Sequence, residues 1–191
     1  MKPPFFMSYF ITDPIEYGDT SLQLEHNITY SLNKHCIDMI CFRDKLSKDI
    51  ETLAMSVLSI SKKLNISKVI INKNINLAVK LGFDGVHLTS EQFDKINIAK
   101  KYNLYIIISC HTEAEVILAK EYGVDAITYS PIFYKENKGQ PKGIENLKDI
   151  VFKYQSDDFR IIALGGIIDD TSVYEVKNTG VSGFASIRYF K

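Results

Sequence analysis

Gly123-Val124-Asp125-Ala126-Ile127 has three echoes in the chain: Cys36-Ile37-Asp38-Met39-Ile40, Gly82-Phe83-Asp84-Gly85-Val86 and Gly180-Val181-Ser182-Gly183-Phe184. Each consists of a helix-ending position, an apolar residue, Asp or Ser, and then a strand-like run. Three of the four begin with the glycine that closes a helix in the left-handed conformation. The copies precede the second, fourth, sixth and eighth of eight apolar, β-rich runs: 7–12, 39–42, 68–71, 85–88, 104–109, 126–129, 160–164 and 183–186. Between the runs the spacing turns helical. Leu22, Ile28 and Leu32 mark one helix, Leu53, Val57, Ile60 and Leu64 a second, and Val116, Ala119 and Lys120 a third. A βαβα unit repeated in this way predicts a closed α/β ring, a (β/α)8 TIM barrel. An open doubly wound sheet would more often carry a glycine-rich turn after its first strand, where this chain has Ile11-Thr12-Asp13-Pro14-Ile15-Glu16.

Composition agrees with a single domain over residues 1–191. The chain is 46% hydrophobic, enough for one sizeable core, and no Ser/Gly/Pro-rich linker divides it. Lys plus Arg and Asp plus Glu each number 23, so no net field would draw in nucleic acid or an anionic membrane. The expected partner is therefore small. Cys36, Cys41 and Cys110 are odd in number and widely spaced, and read as reduced thiols of a cytoplasmic protein. The opening residues carry two prolines and meet Asp13 too soon for a membrane span, so no targeting or anchoring segment is expected.

In a barrel of this kind the chemistry lies at the C-terminal strand ends, and phosphate commonly binds the loops after strands seven and eight. The seventh strand runs Arg160-Ile161-Ile162-Ala163-Leu164 straight into Gly165-Gly166. Two glycines there let the backbone approach an anion and aim N–H groups at it, although a tight turn without a ligand reads equally well from the pair alone. Ser186, in Ala185-Ser186-Ile187 on the eighth strand, is placed to close the same site. On the second strand, alternation sets Cys41, Arg43 and Lys45 on one side and Ile40 and Phe42 on the other, so two cations would enter the mouth together. On the fifth, Ile107, Ser109 and His111 share a face, and Thr112 with Glu115 forms a capping-box pattern. His111 thus stands where a general acid or base belongs, with a structural histidine as the alternative. His87 carries the same two readings, while His26 and His35 read as helix-surface residues. Lys135 and Lys138, in the long loop after the sixth strand, would clamp a phosphate or face water.

In order and spacing, SYFITDP, CFRDK, IIN followed by LAVKLGFDGVHL, ISCHTEAEVILAKEYGVDAITYSPIF, IALGGI and GFASI resemble the thiamine phosphate synthase and thiazole tautomerase superfamily. The likeness runs from about Ser8 to Ile187. It implies a (β/α)8 barrel that handles thiazole phosphates in thiamine biosynthesis. By position, Arg43, Asn72, Lys138, Gly165, Gly166 and Ser186 carry over, and the tautomerase histidine falls on His111. The synthases' magnesium-binding aspartates are replaced: Asn72-Lys73 stands after the third strand and Thr89-Ser90-Glu91-Gln92 after the fourth. Their loop threonines and the glutamine before the strand-two arginine are lost as well, the latter to Cys41.

These departures place the expectation on the tautomerase branch. His111 would move a proton between ring tautomers of a carboxylated thiazole phosphate. Arg43 would pair the carboxylate, and Gly165, Gly166 and Ser186 would hold the phosphate, with no metal or other cofactor. The synthases also tend to carry a histidine at the position of His111, so a divergent thiamine phosphate synthase stays open as an alternative, with magnesium or with Lys73 and Lys135 supplying its charge. A non-catalytic thiazole phosphate-binding or regulatory protein is a third reading. Barrels of this family close with an eighth helix, and only Arg188-Tyr189-Phe190-Lys191 follow the last strand here. The fold is therefore expected to be truncated or missing its last helix. Tyr189 and Phe190 should fold back into the gap between the first and seventh helices, and a second subunit should cover the rest as a homodimer.

Overall fold

The computed structural model describes residues 6–134 and 139–191. Eight parallel strands close into a barrel in chain order: β1 (Met7–Ile11), β2 (Met39–Phe42), β3 (Lys68–Asn72), β4 (Gly85–Leu88), β5 (Tyr105–Cys110), β6 (Ala126–Tyr129), β7 (Arg160–Leu164) and β8 (Gly183–Ser186). α1 (Pro14–Tyr17) and α2 (Ser21–Lys34) follow β1, and α3 (Ile50–Lys63), α4 (Ile75–Leu81), α5 (Ile96–Lys101), α6 (Glu113–Glu121), α7 (Gly143–Tyr154) and α8 (Asp170–Lys177) follow β2 to β7. Among the described residues no helix follows β8, and none is long and apolar enough to cross a membrane. Five strands have the expected bounds. β1 stops one residue sooner, β3 runs one further, and β5 is shifted forward by one.

Strand alternation divides the core in two. Met7, Tyr9, Ile11, Met39, Cys41, Ile70, Ile107, Ala126, Ile162 and Ala185 fill the interior of the ring. Phe10, Ile40, Phe42, Ile71, Val86, Ile108 and Ile127 point outward and pack under the helices. Both faces are buried, so the strands read as continuous apolar runs rather than as an alternating pattern.

The echoed segments are the barrel's lower seams. Gly82, Gly123 and Gly180 take φ values of +76°, +59° and +80° and end their helices. The aspartates that follow then grip the preceding strand. Asp38 Oδ2 accepts from Ser8 N at 2.8 Å, Asp84 Oδ2 from Val69 N at 2.7 Å, and Asp125 Oδ2 from Ile106 N at 2.7 Å. Ser182, which has no carboxylate, keeps only the backbone half of this pattern and donates its N–H to Ile161 O at 3.0 Å.

Three helix assignments need correction. Leu22 is 78% exposed, because the buried stripe of α2 runs through Leu24, Ile28 and Ser31, and Leu22 lies two residues, about 200°, from Leu24. Leu64 lies at the C-cap of α3, beyond its last turn, and is exposed. Lys120 faces solvent and donates to Tyr154 O at 2.8 Å.

The chain end folds back as expected. Phe190 is wholly buried, stacked on Phe184 with centroids 5.6 Å apart and packed on Phe10 at 5.3 Å. Tyr189 packs on His35 at the end of α2, at 5.1 Å, and its hydroxyl donates to Asp170 Oδ1 of α8 at 2.7 Å. The two aromatics thus bridge α2 and α8. They also correct the reading of His35, which is half-buried beneath them, with its pKa pushed down chiefly by burial. Phe190→Ala is expected to lower the unfolding free energy in urea by about 3–5 kcal/mol. A loss below about 1 kcal/mol would mean that this ring is not part of the core.

Candidate functional site

At the C-terminal end of the barrel lies a cavity of about 350 Å³ to which every strand or its following loop contributes. Ile11 comes from β1, Arg43 and Lys45 from the β2 loop, Asn72 and Lys73 from β3, His87 and Thr89 from β4, and Ser109 and His111 from β5. Ser130, Pro131 and Gly139 follow β6, Leu164 and Gly165 end β7, and Ile187 follows β8. The structure therefore gathers His111, Arg43, Lys45, Asn72 and Gly165 around one space. Lys138 and Lys135 lie outside the described residues.

His111 is held from two sides. Its backbone N–H donates to Glu115 Oε2 at 2.5 Å, inside a capping box formed by Thr112 and Glu115. Its Nδ1 lies 3.0 Å from Ser130 O and 3.2 Å from Ser130 Oγ. A carbonyl can only accept, so Nδ1 carries a proton, and in the neutral ring Nε2 is the nitrogen with the lone pair.

Arg43 reaches the cavity already paired. Its guanidinium forms an ion pair with Asp13, the N-cap of α1, and its backbone N–H donates to Thr12 Oγ1 at 2.9 Å. A ligand carboxylate must share it with Asp13. The Asn72 side chain donates to His87 O at 3.0 Å, which sets the amide's orientation at the end of β3.

A niche of about 40 Å³ adjoins the cavity and shares Leu164, Gly165 and Ile187 with it. Gly166, Ile167, Ile168, Ala185, Ser186 and Arg188 complete the niche. Two expectations change here. Gly165 and Gly166 have φ of +100° and +75°, and each lacks a side chain because the β6 loop lies against it. A Cβ on Gly165 would meet Pro131 Cα at 2.9 Å, and one on Gly166 would meet Phe133 Cβ at 2.6 Å. Their first task is thus to let two loops touch, with Phe133 N donating to Gly165 O at 3.0 Å. The Ser186 hydroxyl is also engaged, donating to Ile167 O at 2.7 Å and accepting from Tyr189 N at 3.1 Å. It braces the niche, which is also lined by Arg188, a cation of the short tail that no local pattern marks as part of a site.

His87, left undecided by the sequence, is a buried polar core residue, 3% exposed. Nδ1 lies 3.1 Å from Tyr9 Oη, and Nε2 lies 3.1 Å from Ser109 Oγ and 3.2 Å from Thr128 Oγ1. Burial first, and the Arg43 charge second, push its pKa down to about 3. Cys41 sits beside Tyr9 in the interior, and burial pushes its thiol up to about 12.

The positions where the synthase pattern has aspartates do not fit Mg²⁺. Lys73, a cation in place of a carboxylate, lines the cavity. Gln92 is turned to the backbone, with Oε1 accepting from Thr89 N at 3.1 Å and Nε2 donating to Lys73 O at 3.3 Å. Glu91 is exposed and does not line the cavity. Among the described residues no group of three His, Cys, Asp or Glu is placed to hold a metal.

A family model described as thiamine monophosphate synthase matches residues 8–190. A protein of Aquifex aeolicus (strain VF5), provisionally named thiamine-phosphate synthase 2, is 32% identical over 188 residues, 95% of this chain and 96% of its own. The thiamine-phosphate synthase of Bacillus cereus (strain ATCC 10987 / NRS 248) is 30% identical over 181 residues, 93% of this chain and 75% of that protein. Among solved structures, the thiamine phosphate pyrophosphorylase from Pyrococcus furiosus shares the fold with a TM-score of 0.79. Its identity is 22%, over 95% of this chain and 85% of that one.

Two outcomes follow from the geometry. Gly166→Val is expected to destabilise the fold itself, because both its positive φ and the Phe133 contact oppose a side chain. An unchanged urea midpoint would contradict that contact. His87 has a folded pKa of about 3 against an ordinary 6.5, so below about pH 6.5 the unfolded chain takes up a proton that the folded chain refuses. Its stabilising contribution is therefore lost as pH falls from 6.5 towards 3, at up to about 1.4 kcal/mol per pH unit. Urea titrations at pH 7, 5.5 and 4 should show this slope in the parent and a flatter one in His87→Gln.

Proposed function

The chain belongs to the thiamine monophosphate synthase family, and on that premise we propose that it is an enzyme of thiamine biosynthesis that joins a thiazole phosphate to hydroxymethylpyrimidine diphosphate. The observation that carries this reading is the adjacency of two anion-seeking features: the cations Arg43, Lys45 and Lys73 on the cavity wall, and the niche with Arg188 that opens from it. One suits a diphosphate and the other a single phosphate. The names of the relatives favour the same reaction.

In the proposed step the thiazole nitrogen donates its lone pair to the pyrimidine's exocyclic methylene carbon. The carbon–oxygen bond to the diphosphate breaks, and pyrophosphate leaves with that electron pair. No proton has to move. The protein's part is to align the two rings and to set positive charge where the leaving group becomes more negative. Lys73 would supply part of that charge from the position where the synthase pattern has a metal-binding aspartate.

The tautomerase expectation remains as a second reading, favoured by one observation: Nε2 of His111 is left as a base beside the cavity while Nδ1 is tied to Ser130. Proton shuttling needs such a base; coupling does not. The two readings separate on His111→Asn. Under coupling, pyrophosphate release from the two substrates persists with a modest loss. Under tautomerisation, ring-isomer conversion of a carboxylated thiazole phosphate falls on the order of 10²-fold or more at nearly unchanged affinity. Calorimetric binding of the thiazole phosphate with neither turnover would leave the non-catalytic reading. Lys73→Met is expected to raise KM for the diphosphate and slow pyrophosphate release, and an unaltered rate would remove Lys73 from the scheme.

A further inference from the structure

The hydrogen-bonded set formed by the buried Tyr9, His87 and Thr128 and the half-buried Ser109 was given no role in the step above, yet it links the barrel interior to the cavity. Tyr9 is fully buried, and Ser109 and His87 both line the cavity floor. The ring of His87 is neutral, so one nitrogen donates and the other accepts. Which does which follows from the neighbours. Tyr9 has one proton to give. Within its reach lie Nδ1 of His87 at 3.1 Å and the thiol of Cys41, a weak acceptor whose own S–H is directed to Phe42 O at 3.8 Å. The phenol therefore donates to Nδ1, the stronger acceptor, and the ring proton is left on Nε2.

Nε2–H then has only hydroxyl oxygens to donate to, Ser109 Oγ at 3.1 Å and Thr128 Oγ1 at 3.2 Å. Thr128 Oγ1 is itself a donor towards Ser109 Oγ at 3.4 Å. The Ser109 oxygen thus receives hydrogen bonds from below. With Thr128 as the donor of that pair, the Ser109 proton is the one left to point towards the cavity that Ser109 lines.

We infer that His87 is a positioning residue, locked by Tyr9 as the Nε2–H tautomer, and that it makes Ser109 a hydrogen-bond donor to the ligand. The opposite tautomer would reverse the chain and make Ser109 an acceptor. A donor there selects for a ligand atom with an exposed lone pair, an anionic oxygen or an unprotonated ring nitrogen. The choice of ligand rests on the thiazole phosphate reading above, whereas the tautomer does not.

The first test is therefore made without ligand. Long-range proton–nitrogen correlation on histidine-labelled parent protein should show His87 Nε2 as pyrrole-like and Nδ1 as pyridine-like. The reverse pattern would overturn the inference. Tyr9→Phe should release the lock and mix the two patterns, and an unchanged spectrum would remove Tyr9 from it. The second test is calorimetric, with thiazole phosphate as the probe. His87→Leu should weaken binding about 5–10-fold in the parent and by less than about 2-fold in Ser109→Ala, because both changes break one chain. His87→Gln, whose amide N–H stands in for Nε2–H, should restore most of the affinity. Equal losses from His87→Leu in the two backgrounds would show that His87 acts independently of Ser109 and would refute its positioning role. Should the parent bind no thiazole phosphate, the function proposed above fails, and the nitrogen spectrum still decides the tautomer.

Discussion

Ring closure is the constraint on which everything else depends. Eight short parallel strands leave no free edge when they close in order, and half of their side chains must then fit a narrow interior. Met39, Cys41, Ile70, Ile107 and Ala126 fill the ring, so within the barrel the open space lies above them, where the strands end and the loops begin. The polar layer of Tyr9, His87 and Thr128 lies beneath that space. Unpaired, these groups would be costly to bury, but they satisfy one another across β1, β4, β5 and β6. The floor of the cavity is therefore rigid and neutral, and its charge is confined to the wall.

That division explains what the sequence made legible. Alternation along a strand is local, so the inward placement of Cys41 and Arg43 and the shared face of Ile107, Ser109 and His111 followed from residue order alone. The echoed Gly and Asp positions were equally legible, because a helix end and the next strand are neighbours in the chain. What lay across the ring was not. The contact of Phe133 with Gly166 joins two loops some thirty residues apart, and no local pattern distinguishes a glycine that admits a neighbouring loop from one that admits an anion. The bonds of His87 cross four strands. The Ser186 hydroxyl, read as a ligand contact, turns out to serve Ile167 and Tyr189.

Charge on the wall has a consequence for ligand choice. Arg43, Lys45 and Lys73 line the cavity, and Arg43 is paired with Asp13. A carboxylate scaffold that holds a divalent cation fixes a diphosphate through directional metal–oxygen bonds. An ammonium on a flexible stem attracts the same group as a point charge and imposes little geometry. In the proposed reaction, alignment must then come from elsewhere, from the niche at one end and from the hydrogen bonds of the floor at the other. A wall of lysines above a stiff polar floor is a workable arrangement only if the floor is ordered before the ligand arrives.

The tail brings the niche under the same logic. Phe190 and Tyr189 pack on the outer face of β1 and β8, after which no helix follows among the described residues, and they are tied back by Tyr189 to Asp170 and by Lys191 to Glu16. The turn that delivers them begins at Ser186, whose hydroxyl joins Tyr189 N to Ile167 O, and the Tyr17 hydroxyl donates to Ile187 O at 2.5 Å. Ile167, Ser186 and Ile187 are also walls of the niche. One set of bonds therefore holds the aromatic cover on the outside and shapes the anion-sized hollow on the inside. Loosening the cover is therefore expected to shift the walls of the hollow, because Ser186 and Ile187 serve both.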